Sequence, residues 1–258
     1  MVSMPVVDEF TPGHVAELFY QSGAVHFRDG LPHAWIIRTH ALLLQRFERL
    51  LARVRATLGG ELGLGKDAGF AELVQRSPGR YDMACEWKPP FSDPILAAHK
   101  RLMPVVRAIL GEDCQVMLQG AVIALPHAPE QLWHIDGAHL FPEHPHHLPA
   151  HCLNVFIPLV DLTEDNGPTQ ICPGSHFLTR SATRTFKASA DNLTAIQYTD
   201  RPVNLTAAAG SIFLFDYRLL HRGLANDSPR PRPILYLVIA RPWYRDRTFP
   251  TRMLDPLT

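Results

Sequence analysis

Apolar residues recur at helical spacing in the first half of the chain and at strand spacing in the second. Between Trp35 and Leu58, the positions Leu43, Phe47, Leu50, Leu51, Val54 and Leu58 fall on one helical face and arginines fill the other. That predicts one long amphipathic helix, stopped by Gly59-Gly60. Shorter helices are expected from Pro12 to Gln21, behind Thr11, and from about Pro94 to Leu110. Between the first two helices "GAVHFRD" alternates, with Ala24, His26 and Arg28 against Val25 and Phe27, and reads as a strand. After Cys114 the runs "QVMLQGAVIAL", "CLNVFIPLV", "TQICPG", "SIFLFD" and "ILYLVIA" are short, β-rich and separated by Pro, Gly, Asn and Asp. Such a series predicts a sandwich or double-sheet barrel. The expected architecture is mainly β with flanking helices: one domain over 1–258, with a helix-rich region at 1–112 packing on a β core at 113–242. Pro142 to His151, "PEHPHHLPAH", reads as a surface loop, although His-rich tracts can bind metal.

Composition narrows the function classes. A chain of 258 residues can bury a sizeable core as one unit. Lys plus Arg and Asp plus Glu are 25 each, so neither a nucleic-acid nor a membrane-surface partner is expected. No apolar run approaches the roughly 20 residues that span a bilayer. "MVSMPVVDEFTPG" has no basic region followed by an apolar core, so no secretory signal is expected and the cytoplasm is the default compartment. The Asn-x-Ser/Thr triplets at Asn192, Asn204 and Asn226 then carry no meaning. Cys85, Cys114, Cys152 and Cys172 form neither a disulfide framework nor a zinc pattern. "GELGLGK", Gly60 to Lys66, mimics a phosphate loop, but Asp67 stands where Ser or Thr must hold magnesium, which argues against nucleotide hydrolysis.

The chemistry lies in "QLWHIDGAHLF", Gln131 to Phe141. On a strand, His134 and Asp136 would face the same way. Two histidines and one carboxylate on one face of the metal are the ligands of non-haem Fe(II) oxygenases. A third donor must come from elsewhere, and His176 in "PGSH" and His221 in "FDYRLLHRGLAND" are candidates. His176 sits at a turn, whereas His221 follows a strongly β segment. Arg232 comes 11 residues after His221, at a hairpin distance that can bring it beside His221 inside the barrel. A buried arginine there asks for an anion, and guanidinium grips carboxylate in two-pronged fashion. His139 reads as a pocket-mouth or surface residue rather than a fourth ligand.

The spacing His134-x-Asp136, His221 and Arg232 resembles the phytanoyl-CoA dioxygenase family of Fe(II)/2-oxoglutarate oxygenases. So do "NGPTQICPGSH", Asn166 to His176, and "GAVHFRDGLP" near the start, and the resemblance spans residues 8 to 242. It implies a double-stranded β-helix (jelly-roll) core, with Fe(II) on His134, Asp136 and His221, and 2-oxoglutarate and dioxygen as cosubstrates. Arg232 would take the distal carboxylate of 2-oxoglutarate, with weaker transfers to Gln131 and Thr169. His176 matches a position that is not a ligand in the family. Gly223 departs from members that carry a hydroxyl there, which puts that one contact in doubt.

For the substrate, Tyr81 in "RSPGRYDM" and Phe141 are weak candidates, and a surface turn and a core aromatic are the competing readings. A carboxylate at Asp136 leaves no place for chloride and speaks against a halogenase. The expected activity is oxidation of a C–H bond in a small organic molecule, by hydroxylation or a related desaturation, cyclisation or epimerisation, with a hydrophobic substrate and a natural-product tailoring step expected by analogy. The rivals are a cupin-type metal enzyme that does not use 2-oxoglutarate and an inactive jelly-roll binding protein.

Overall fold

The computed structural model describes residues 4–7, 11–86, 88–91, 93–97, 99–141, 147–177, 202–246 and 249–254. Residues 142–146 of the His-rich loop and the triplet at Asn192 lie outside them.

Helix α1 (Pro12–Ser22) starts at Thr11, whose hydroxyl accepts the His14 N–H, and ends at Gly23. Strand β1 (Ala24–Phe27) leads into the long helix α2 (His33–Leu58). The α2 stripe is buried at Trp35, Ile36, Leu43, Phe47, Leu50 and Val54, but Leu58 is exposed in its last turn. Next come strands β2 (Leu73–Ser77) and β3 (Arg80–Ala84), where the sequence predicts no strands. The single helix expected from Pro94 to Leu110 is two, α3 (Pro94–Ala97) and α4 (Leu102–Leu110). His99 explains the break, because its Nδ1 accepts the backbone N–H groups of Arg101 and Leu102 and caps the start of α4.

The β-rich half supplies β4 (Gln115–Ala124), β5 (Cys152–Pro158), β6 (Thr169–Ile171), β7 (Val203–Asn204), β8 (Ile212–Asp216), β9 (His221–Gly223) and β10 (Arg232–Ala240). They form a seven-stranded antiparallel sheet, β1-β8-β5-β10-β4-β3-β2, and a three-stranded sheet, β7-β6-β9. The larger sheet reads out as period two. Ala121, Ile123, Leu153, Val155, Leu235 and Leu237 pack outward on the core that α1, α2 and α4 cover. Phe213, Phe215 and Ile234 face inward and meet Ile171 of the small sheet. Helices on one face and a second sheet on the other make a jelly roll whose inward face is free to carry polar groups. No helix among the described residues is long and apolar enough to cross a membrane.

Candidate metal centre

The segment carrying His134 and Asp136 is not a full strand. Only Trp133 and His134 take bridge geometry, and His134 exchanges both backbone hydrogen bonds with His221, at 3.0 and 2.9 Å. Further along, the N–H groups of Asp136 and Gly137 both donate to the Tyr217 carbonyl at 3.1 Å. This zipper lays the H-x-D segment against β9 and the turn before it. The ligand atoms of His134, Asp136 and His221 lie within 4.8 Å of one another. His176 is outside this group, buried in a short 3-10 turn (Ser175–Phe177).

Each imidazole is aimed by its own backbone. His134 Nδ1–H donates to the Leu132 carbonyl at 2.9 Å, and His221 Nδ1–H donates to the Leu219 carbonyl at 3.0 Å. Both bonds fix the tautomer that leaves Nε2 with a free lone pair. His221 Nε2 stands 3.5 Å from Asp136 Oδ2. The Asn154 amide donates to the same carboxylate oxygen at 2.6 Å and orients it. Burial, reinforced by His221, holds His134 down at about 4, so it is neutral at pH 7.

The three donors open on a cavity of about 610 Å³, shared with Arg232, Gln131, Thr169 and Gly223. Arg232 is 1% exposed, and its Nε and Nη2 have no hydrogen-bond partner. Gln131 Oε1 accepts the Gly223 N–H at 3.0 Å, so Gln131 has a structural bond as well as a place on the cavity wall. Thr169 is buried and registered opposite Gly223.

The two substrate candidates fall elsewhere. Tyr81 points to the opposite face of β3, where it packs edge-on against Phe47 of α2 at 5.1 Å. The cause is strand parity: Arg80 and Asp82 take the inward positions, so Tyr81 and Met83 must face the helices. Phe141 is 56% exposed and off the cavity wall. His139, expected at the mouth or surface, is buried.

Sequence reasoning missed the polar wall that does line the cavity. Arg76 grips Asp82 Oδ2 with Nε and Nη2, and Tyr236 donates to Asp82 Oδ1 at 2.9 Å. Gly120 makes that reach possible, since a Cβ there would lie 2.5 Å from the Tyr236 hydroxyl. Tyr217 donates to Asp246 at 3.3 Å on another side of the wall. The available signal was the alternation Arg80, Tyr81, Asp82, Met83 after a Ser-Pro-Gly turn.

The donor set fits a divalent iron that must keep coordination positions open, being two imidazoles and one carboxylate converging from one side. The unpaired Arg232 N–H groups fit the carboxylate of a 2-oxo diacid. Fold and site together define a non-haem Fe(II)- and 2-oxoglutarate-dependent oxygenase. The chain belongs to the phytanoyl-CoA dioxygenase family, whose sequence model, Phytanoyl-CoA dioxygenase (PhyH), matches residues 19–234.

Solved structures share the fold. HygX from Streptomyces hygroscopicus, with nickel, 2-oxoglutarate and hygromycin B bound, is 12% identical, with a TM-score of 0.60 over 89% of this chain and 87% of that one. SnoK, a non-heme alpha ketoglutarate dependent carbocyclase from nogalamycin biosynthesis, is 19% identical, with a TM-score of 0.60 over 88% and 83%. EctD from S. alaskensis, with 2-oxoglutarate and 5-hydroxyectoine, is 24% identical, with a TM-score of 0.61 over 92% and 82%.

Proposed function

We propose that the chain oxidises a C–H bond of a small polar molecule, with Fe(II) held by His134, Asp136 and His221 and the distal carboxylate of 2-oxoglutarate held by Arg232. The observation that carries this reading is one cavity bearing both a converging His-Asp-His set and a buried guanidinium with unpaired donors. When bound, Fe(II), 2-oxoglutarate and dioxygen supply an oxidative decarboxylation to succinate and carbon dioxide, coupled to substrate oxidation.

The chain's own residues position and shield. Asn154 fixes the Asp136 carboxylate. Gln131 and Thr169 border the cosubstrate end of the cavity. Val122, Phe156 and Val238 form its apolar wall and exclude water. Asp136 occupies the position a halide would need, which favours hydroxylation, desaturation, cyclisation or epimerisation over halogenation. Asp82, Asp246, Tyr217 and Tyr236 give the substrate hydrogen-bonding partners. That wall, the hygromycin B bound to HygX and the origin of SnoK in nogalamycin biosynthesis support a tailoring step on a polar small molecule rather than the hydrophobic one the sequence suggests. The core shared by helices and sheet supports a single unit. Four free thiols support a reducing, cytoplasmic setting.

Anaerobic addition of Fe(II) and then 2-oxoglutarate tests the reading. A visible charge-transfer band is expected with the native chain, with succinate release once substrate and oxygen are supplied. Absence of both would leave an inactive scaffold. Unchanged cosubstrate affinity in Arg232→Ala would favour a metal enzyme that does not use 2-oxoglutarate.

A further inference from the structure

A run of aromatic rings joins the candidate metal centre to the surface. The Tyr217 carbonyl receives the N–H groups of Asp136 and Gly137, and the Tyr217 side chain lines the cavity. Gly137, the neighbour of Asp136, lies against two phenols at once. A Cβ there would overlap Tyr217 Cδ1 and come within 3.3 Å of the Tyr244 hydroxyl. Tyr217 and Tyr244 meet edge-on with ring centroids 6.4 Å apart, and Tyr244 meets Trp243 in the same way at 6.2 Å. Trp243 is 59% exposed. These oxidisable side chains therefore follow one another from the cavity wall to solvent.

The surroundings suit loss of an electron from these rings. The Tyr217 hydroxyl donates to Asp246 Oδ2 at 3.3 Å, so a base stands at the phenol that lines the cavity. A phenol gives up an electron readily only when its proton can leave as well. At the outer end His151 stacks on Trp243 at 6.2 Å and packs against Tyr244 at 4.6 Å. It is buried with no hydrogen-bond partner on either ring nitrogen, and burial holds it near 4, so it adds no positive charge beside either ring at pH 7.

We propose that Tyr217, Tyr244 and Trp243 are an electron relay that protects the protein when oxidising power made at the metal finds no substrate. This rests on the iron and 2-oxoglutarate reading above. Turnover places one oxygen atom of dioxygen in succinate and leaves the other at the site as a two-electron oxidant. With no C–H bond in reach, that atom leaves as water after taking up two electrons, and two protons from water in the cavity. Each electron comes from Tyr217, whose proton moves to Asp246. Tyr244 returns an electron to Tyr217, which recovers its proton from Asp246, and the half-buried Tyr244 gives its own proton to solvent. Trp243 restores Tyr244, which takes a proton back from solvent. A one-electron reductant in solution, ascorbate or a thiol, restores Trp243 at the surface. Two electrons from the reductant thus turn one oxygen atom into water, and each ring ends as it began.

The test uses the Fe(II)-loaded protein without substrate in two arms, one with 2-oxoglutarate and dioxygen and one with hydrogen peroxide. Freeze-quench electron paramagnetic resonance detects protein radicals, and peptide mass spectrometry locates oxidised residues. The native chain should show a tyrosyl or tryptophanyl radical and oxidation at Trp243, both suppressed by ascorbate. Tyr244→Phe keeps the ring and removes its oxidisable hydroxyl. It should lower oxidation at Trp243 roughly tenfold, as a hop barrier raised by about 1.4 kcal/mol would, and move the damage to Tyr217 and the cavity wall. Trp243→Phe should move the damage inward to Tyr244 and Tyr217.

Equal oxidation of Trp243 in the native chain and in Tyr244→Phe overturns the proposal, because the indole is then attacked from solution. So does a native chain whose damage never reaches Trp243. Should Tyr244→Phe fail to fold, an unchanged pattern at Tyr217 and Tyr244 in Trp243→Phe overturns it equally. If the charge-transfer band with 2-oxoglutarate is absent while the peroxide arm shows the expected pattern, the cosubstrate reading fails and the relay stands. If the band appears and neither variant moves the damage in either arm, only the relay fails.

Discussion

Asp216 and Arg218 form a buried ion pair in the turn between β8 and β9, each with a side chain 1% exposed. Arg218 Nε donates to Oδ1 at 2.8 Å and Nη2 to Oδ2 at 2.7 Å, and the Arg218 backbone N–H adds a bond to Oδ1 at 2.8 Å. The fourth anchor is Nη1 on the Leu148 carbonyl at 3.0 Å. Burial raises the Asp216 carboxyl, but Arg218 more than offsets that and holds it near 2. The turn so fixed carries the Tyr217 carbonyl, which receives the N–H groups of Asp136 and Gly137, and it ends at His221. One ion pair thus sets the spacing between two of the three candidate metal donors.

Arg218→Leu would leave the Asp216 charge buried with a single backbone donor. Breaking a buried pair from one side costs about 3–5 kcal/mol, against a total stability of about 5–15 kcal/mol. Asp216→Asn should cost a similar amount, because it leaves a buried guanidinium without its carboxylate. In Asp216→Asn/Arg218→Leu neither charge remains, so the double variant should recover a coupling energy of at least about 2 kcal/mol. Urea unfolding of the metal-free proteins measures all three, provided the slope is unchanged. Mn(II) titration of the folded variants should show about tenfold weaker binding in Arg218→Leu if the loosened turn costs the site about 1.4 kcal/mol. A loss below about 1 kcal/mol in Arg218→Leu, far under the range for a broken buried pair, would refute the reasoning. So would a double variant whose loss equals the sum of the singles.

His151 and His176 are buried, and each is held near 4, chiefly by burial. In the unfolded chain they titrate near 6.5, so below that pH the unfolded state binds protons the folded state refuses. Stability should be fully present above about pH 6.5 and fall toward pH 4 by on the order of 3 kcal/mol per histidine. Urea midpoints between these limits test this, and a flat profile contradicts it; His176→Phe should reduce the slope. Tyr236→Phe removes the donor to Asp82 Oδ1 and should cost about 1–3 kcal/mol, read by the same unfolding assay, with no change expected if that bond is absent in solution. Asp136→Ala should abolish the rise in melting temperature that Mn(II) gives the native chain, and a persisting shift would place the metal elsewhere.

The His134, Asp136 and His221 cluster was legible because each residue breaks a local pattern. His134 and Asp136 are polar positions inside an apolar stretch, and His221 closes a turn that follows a β run. The jelly roll was legible from the change of period after Cys114. The rest depended on pairing between distant segments. β2 and β3 are short and sit in a half of the chain dominated by helix, so their alternation was easily taken for a turn. Even with that alternation seen, local sequence does not say which parity faces the cavity. The register of Arg80 on Ala124 decides it, and the two residues are far apart in the chain. That one register turns Arg80 inward and Tyr81 outward, against the substrate role expected for Tyr81.

The same dependence explains why Arg232 was legible and Arg80 was not. Arg232 opens a strand of otherwise apolar residues, so its burial follows from its neighbours in sequence. Arg80 sits among Arg76, Ser77 and Asp82, where charge reads as surface. Only the sheet shows that Asp82 is taken by Arg76 and Tyr236, while Nε and Nη1 of Arg80 are left unpaired. Whether a buried charge is satisfied is a property of the register, because a one-residue slip exchanges every partner on a face. A row of cavity residues built from two strands with β4 between them therefore cannot be read from either strand alone. It becomes visible when both arginines are found on the same row with no acidic partner.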